Sequence, residues 1–247
     1  MRFMTHNGGK TLGAFLPLVA LLASMQPVSA ASAVAVPADT VAVDPASAGS
    51  EEQHIRKVLF IGDSMTGWMA ERLNAYGVKD GFEVATVVWD GSTIRKWGAS
   101  SALAGMISEQ HPDVVLISLG MNELFERNPA SALGSRLDSI IAALGSTPYL
   151  WIGPPSWPGH AEGEKLVEWL SDTLGPGRFF NSFSLSIPRQ SKNNPHPTRE
   201  GIIKWIDNLV EWIPENTDLK FPRLTPPEPD AMSRGKVFIY RRMKERL

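Results

Sequence analysis

Apolar residues along this chain follow two rhythms. Lys57 to Ile61, Glu83 to Trp89, Asp113 to Leu119 and Thr147 to Ile152 are short runs rich in Val, Ile and aromatics, and they read as β-strands. A weaker fifth run, Arg178 to Phe183, follows Gly175-Pro176-Gly177. Elsewhere apolar residues recur every third or fourth position. Leu133, Leu137, Ile140, Ile141 and Leu144 do so after Asn128-Pro129, a suitable N-cap and first-turn pair. Ile202, Ile203, Ile206, Leu209, Val210 and Ile213 mark one face of a last helix, with Thr198 as its expected N-cap. Near-continuous apolar strands are buried on both sides. Their alternation with helices predicts an α/β domain with a parallel sheet covered on both faces.

The periodic pattern spans residues 55–215, and both flanks depart from it. Arg2 and Lys10 precede or open an apolar run, Thr11 to Met25, too short for a comfortable membrane span, and Val28-Ser29-Ala30 supplies small residues for cleavage. Residues 1–30 are therefore expected to be a signal peptide, which makes the protein periplasmic or secreted. Residues 31–54, rich in Ala, Val, Pro and Ser with acids but no Lys or Arg, are expected to form a disordered linker. Residues 216–247 read as a Pro-rich linker around Phe221 to Pro229, followed by a basic tail in which Arg234, Lys236, Arg241, Arg242, Lys244 and Arg246 surround Val237-Phe238-Ile239-Tyr240. Such a tail docks on the domain or frays in solvent. It could also contact a cell-envelope or polysaccharide-synthesis partner, or an anionic membrane surface.

Composition narrows the chemistry. With 247 residues, 43% of them hydrophobic and 20% charged, the chain can bury one sizeable core. A net charge of −2 supplies no global basic field, so no nucleic-acid partner is expected. There is no cysteine, which excludes disulfides, thiolate metal sites and a cysteine nucleophile. No His/Asp/Glu spacing suggests a metal site, and no cofactor is expected.

In a sheet of this kind ligands sit at the carboxyl ends of the strands, and the unusual residues of this chain fall there. Gly62-Asp63-Ser64 ends the first strand, Asp90-Gly91-Ser92-Thr93 the second, Gly120-Met121-Asn122-Glu123 the third, and Gly153-Pro154-Pro155-Ser156-Trp157 the fourth. His196 precedes the last helix within Asn193-Asn194-Pro195-His196-Pro197-Thr198. Ser64 on a strand-to-helix turn has an exposed hydroxyl and a free backbone N–H, and His196 is its natural base. The N–H groups of Ser64 and Gly91 and the amide of Asn122 suit an oxyanion hole. Asp63 reads as an acceptor for loop N–H groups, and His111 and His160 as exposed loop residues. Eight tryptophans are many for this length. Trp151, Trp169, Trp205 and Trp212 read as core or near-core, while Trp89 and Trp157 lie where flat rings could stack on a sugar.

The ordered set Ser64, Gly91, Asn122 and His196 resembles the SGNH, or GDSL-type, serine hydrolase family over Lys57 to about Ile213. The resemblance implies a flavodoxin-like three-layer α/β/α sandwich and hydrolysis or transfer of acyl groups. Two positions depart from the family's pattern. Glu123 stands where the third block usually has Asp, and Asn193 stands three before His196, where the triad Asp is usual. An Asn can orient an imidazole through its oxygen but supplies no charge. Asn193 or a backbone carbonyl could support a Ser64–His196 dyad, another acid could complete the site, or the chain could bind without turnover. The expected function is an exported esterase that removes acyl groups, acetyl above all, from a carbohydrate or polysaccharide, with an acylated carbohydrate or small ester as its substrate partner. An O-acyltransferase acting on exported polysaccharide is the alternative within the fold. A carbohydrate-binding or scaffolding protein is the alternative outside catalysis.

Overall fold

The computed structural model describes residues 54–159, 161–221 and 223–240. The expected signal peptide and nearly all of the expected linker before His54 lie outside these residues. Five strands form in chain order: β1 (Lys57–Gly62), β2 (Glu83–Trp89), β3 (Val114–Ser118), β4 (Tyr149–Ile152) and β5 (Phe179–Phe180). The fifth is shorter than its apolar run, because the Asn181 side chain accepts the Phe183 N–H at 2.9 Å and turns the chain away. Helices α1 (Thr66–Asp80), α2 (Ile94–Gly98), α3 (Ala102–Gln110), α4 (Pro129–Leu144) and α5 (Glu164–Leu174) alternate with them. A hairpin of β6 (Arg189–Ser191) and β7 (Asn194–Pro197) precedes α6 (Arg199–Asn216), and β8 (Lys236–Tyr240) follows it. Thr198 caps α6 as expected, its hydroxyl accepting the Gly201 N–H at 3.1 Å.

The main sheet runs β5-β4-β3-β1-β2-β8, and every pairing in it is parallel. Alternate residues of each strand serve opposite cores. Val58 and Phe60 point into one with α1 and α6, and Leu59 and Ile61 into the other with α2, α3, α4 and α5. This is the three-layer sandwich that unbroken apolar strands require. The chain leaves β1 for β2 on one side and later returns to β3 on the other, so the carboxyl end of β1 lies at the topological switch point. Gly62 is obligatory there: a Cβ would lie 2.2 Å from the Ser118 carbonyl oxygen and from Thr66 Oγ1.

The segment after α6 differs from the expected linker and tail. Leu219, Phe221 and Leu224 are buried with the α1/α6 core. Prolines stop this stretch from forming helix or ladder, but an extended chain can still bury every second or third side chain. Arg72, only 2% exposed, holds the stretch in place. Its guanidinium forks onto Asp207 at 2.8 and 2.9 Å and donates to the carbonyls of Glu228 and Ala231 at 2.9 and 3.0 Å. β8 then pairs with β2, from Ala85 against Lys236 to Trp89 against Tyr240, as the sixth strand. The domain thus extends at least to Tyr240. Residues beyond it, including most of the expected basic tail, lie outside the described set.

Candidate active site

Ser64 occupies the turn between β1 and α1, half-buried, and its hydroxyl lies 3.0 Å from Nε2 of His196. The other ring nitrogen, Nδ1, is 2.8 Å from the side-chain oxygen of Asn194, which also accepts the His196 backbone N–H at 3.0 Å. Asn194 in turn donates its NH2 to the Gln190 side-chain oxygen at 2.9 Å. That last bond fixes the amide with its oxygen toward the ring. Nδ1 must then carry the proton, which leaves the Nε2 lone pair for the Ser64 hydroxyl.

Asn122 follows β3, exposed, in the 3₁₀ turn Met121–Glu123. Its NH2 donates to the Ser92 carbonyl at 2.8 Å and, more weakly, to Asp63 Oδ2 at 3.3 Å. Gly91, exposed after β2, has a φ of 64°, a conformation that side chains other than glycine rarely adopt. Among the described residues no acceptor takes the N–H of Ser64 or of Gly91. Three donors therefore stand at adjacent strand ends around the serine.

The supports are buried. Asp63 Oδ1 accepts the Met65 N–H at 2.9 Å. Burial pushes its carboxyl up to about 7 against that bond, and the charges of Glu123 and Asp90 push the same way. Glu123 accepts the N–H groups of Ile94 and Arg95, at 2.8 and 3.3 Å, and so caps α2. Burial raises its carboxyl as well. Ser92, fully buried, accepts from Trp97 Nε1 at 2.9 Å through its hydroxyl while its carbonyl holds Asn122.

No family model matches the chain, and no curated protein sequence does. Solved structures do. A psychrotrophic esterase from Pseudoalteromonas sp., in a structure inhibited by monoethylphosphonate, is 17% identical. It matches 65% of this chain and 97% of its own, with a TM-score of 0.50. This chain has the fold of the SGNH hydrolases. Two other structures are similar at lower scores. A family 3 carbohydrate esterase from Clostridium thermocellum is 17% identical over 64% of this chain and 94% of its own, with a TM-score of 0.47. A lipolytic G-D-S-L protein described as putative, from Desulfitobacterium hafniense, is 16% identical over 62% and 97%, with a TM-score of 0.46.

On the SGNH fold the four residues read from the sequence, Ser64, Gly91, Asn122 and His196, converge. Asn193 does not join them: it is exposed in the β6–β7 turn, and Asn194 holds the imidazole instead. The reason is strand geometry. Asn194 and His196 are both in β7, and residues two apart share a face. Trp89 is also corrected as a substrate-binding residue. It is 4% exposed and packs edge-on against Trp97, with centroids 5.5 Å apart, because it ends a strand on its core face. Trp157 is half-buried beside the exposed Phe125, 6.4 Å between centroids. His111 is exposed at the end of α3, as expected, and His160 lies outside the described residues.

Sequence reading missed Asn194, Gln190, Ser92 and Arg189. The Asn194-x-His196 spacing is a strand signal, but Pro195 and Pro197 disguise it as loop. Arg189 gave no signal at all in the sequence, since its partners are backbone carbonyls.

Proposed function

We propose that this protein is a serine hydrolase of ester bonds, with an acylated carbohydrate as its substrate class. The observation that carries the reading is the 3.0 Å contact of His196 Nε2 with the Ser64 hydroxyl, made by an imidazole whose other nitrogen is held by Asn194. His196 takes the proton as Ser64 Oγ attacks the ester carbonyl. The oxyanion receives the N–H groups of Ser64 and Gly91 and the second amide proton of Asn122, for which among the described residues only the long Asp63 contact competes. Collapse of the intermediate expels the alcohol, which leaves with the proton from His196. Water, deprotonated by the same imidazole, then frees the acyl group and restores Ser64. Asn194 is a positioning residue: it holds the tautomer but offers no carboxylate to stabilise the imidazolium.

Exposed Phe125, three residues beyond Asn122, and half-buried Trp157, on the loop after β4, support a sugar as the alcohol, since such rings can stack on a pyranose. Acetyl is the proposed acyl group. The apolar run and small residues before Ala31 support export to the periplasm or beyond. The basic residues around β8 support contact with an acidic envelope component.

The test is a fluorophosphonate probe with peptide mapping, together with acetate release from acetylated oligosaccharides. Labelling at Ser64, and loss of both signals in Ser64→Ala, is the expected result. An unlabelled serine with undiminished hydrolysis would overturn the assignment. Faster acyl transfer to an added oligosaccharide than to water would turn the reading into that of an acyltransferase with the same nucleophile.

A further inference from the structure

Arg189 begins β6 and is half-buried. Its Nη1 donates to the Pro195 carbonyl, the one immediately before His196. Its Nη2 donates to the Ser156 and Pro155 carbonyls at 2.6 and 3.4 Å. The guanidinium stands over the Trp157 ring, 5.4 Å from its centroid. One cation thus ties the loop after β4 to the strand that carries the base.

Among the described residues the contacts are all with neutral groups. Carbonyl oxygens satisfy donors but cancel no charge, and a cation drawn out of water is costly unless an anion answers it. Burial accordingly lowers the Arg189 pKa. Arg72, almost fully buried, shows the contrast: it forks onto Asp207. Arg189 has no such carboxylate among the described residues.

Position adds the second half of the argument. Phe125, 49% exposed, lies three residues beyond the oxyanion-hole Asn122. Its ring meets Trp157 at 6.4 Å with a tilt of 60°. An aromatic wall with a guanidinium at its rim that no carboxylate among the described residues answers, bonded to the residue before His196, combines the two features that read an acidic sugar. The rings take the apolar face of the pyranose, and the guanidinium takes a carboxylate.

We propose that Arg189 selects an anionic carbohydrate, so that the acyl group removed is an ester on a uronate-bearing polymer. The proposal rests on the ester-hydrolase reading above and narrows its substrate.

The experiment compares acetate release from O-acetylated oligogalacturonate and from O-acetylated xylo-oligosaccharide of equal length, using the full chain and its Arg189→Gln and Arg189→Lys variants. Arg189 also braces the loop beside His196, so Arg189→Gln lowers both rates, and the ratio is what is read. Wild-type kcat/KM should favour the uronate by roughly 10- to 100-fold, the range of a charge-assisted hydrogen bond. Added salt should shrink that preference. Arg189→Gln should bring the ratio near one, chiefly through KM, and Arg189→Lys should restore part of it. A ratio unchanged in Arg189→Gln, or a wild-type preference for the neutral substrate, overturns the proposal. Calorimetric titration of Ser64→Ala with unacetylated oligogalacturonate gives the same comparison without turnover. Binding there that Arg189→Gln abolishes supports the proposal even if ester hydrolysis fails, and absent binding overturns it even if hydrolysis holds.

Discussion

The side-chain oxygen of Asn194 lies 2.8 Å from Nδ1 of His196 and 3.0 Å from the same residue's backbone nitrogen. One neutral oxygen thus fixes the tautomer and the position of the base together. What it does not supply is a charge to balance the imidazolium, so the barrier for forming that cation is higher than a carboxylate would leave it.

Asn194→Ala should reduce kcat by roughly 100-fold or more, the scale on which misplaced triad groups act. Asn194→Asp keeps an acceptor at the same place and adds the charge, so kcat/KM should rise. Asn193→Asp, at an exposed turn, should change it less than about twofold. Steady-state kinetics on a model ester distinguishes the three.

Asp63 holds its proton in the folded protein between its ordinary value of 3.8 and about 7. In that window the folded state binds more protons than the unfolded state, so stability is greatest at low pH and is lost as pH rises through about 7. The full effect is at most about 4 kcal/mol, and the buried Glu123 adds a slope of the same sign. Urea denaturation at pH 5 and pH 8 should show the wild type weaker at pH 8. Asp63→Asn should flatten much of that difference.

Arg72→Met leaves Asp207 without its fork and frees the carbonyls of Glu228 and Ala231. The loss should be about 2–3 kcal/mol, below the value for a fully buried pair because Asp207 is 36% exposed. The double variant Arg72→Met/Asp207→Leu should recover part of it. Chemical denaturation measures both, and limited proteolysis should cut the 226–235 stretch faster in the single variant.

A chain ended after Gly235 lacks β8 and bares the outer edge of β2. Open edges pair with other chains, so light scattering should reveal concentration-dependent association that the longer protein does not show. Ser64, Gly91, Asn122 and His196 lie on other elements, so freshly prepared monomer should retain ester hydrolysis.

The legible parts of this fold were those that local pattern dictates. Unbroken apolar strands such as Val114–Ser118 can only be interior, and Thr198 before an amphipathic run can only be a cap. The four site residues could be read because each is a type that chemistry needs at a strand end. What escaped depends on long-range partners. Trp89 has the composition of a binding residue, and only its packing on Trp97 shows it is core. Choosing between Asn193 and Asn194 required knowing where a two-residue turn ends and a strand begins. The stretch from Leu219 to Leu224 has linker composition, yet Arg72, far away in the sequence, holds the chain just beyond it against the domain.

The pairing of β2 with β8 has a consequence for the order of folding. Ala85 meets Lys236 only after the whole of the intervening chain has been gathered in, whereas β1 meets β2 across the single helix α1. The entropy of closing so long a loop must be met before the pairing gives anything back. The first five strands are thus expected to assemble with the sheet still unfinished on one side. The slowest step on the way to the native state would then be the arrival of its last strand.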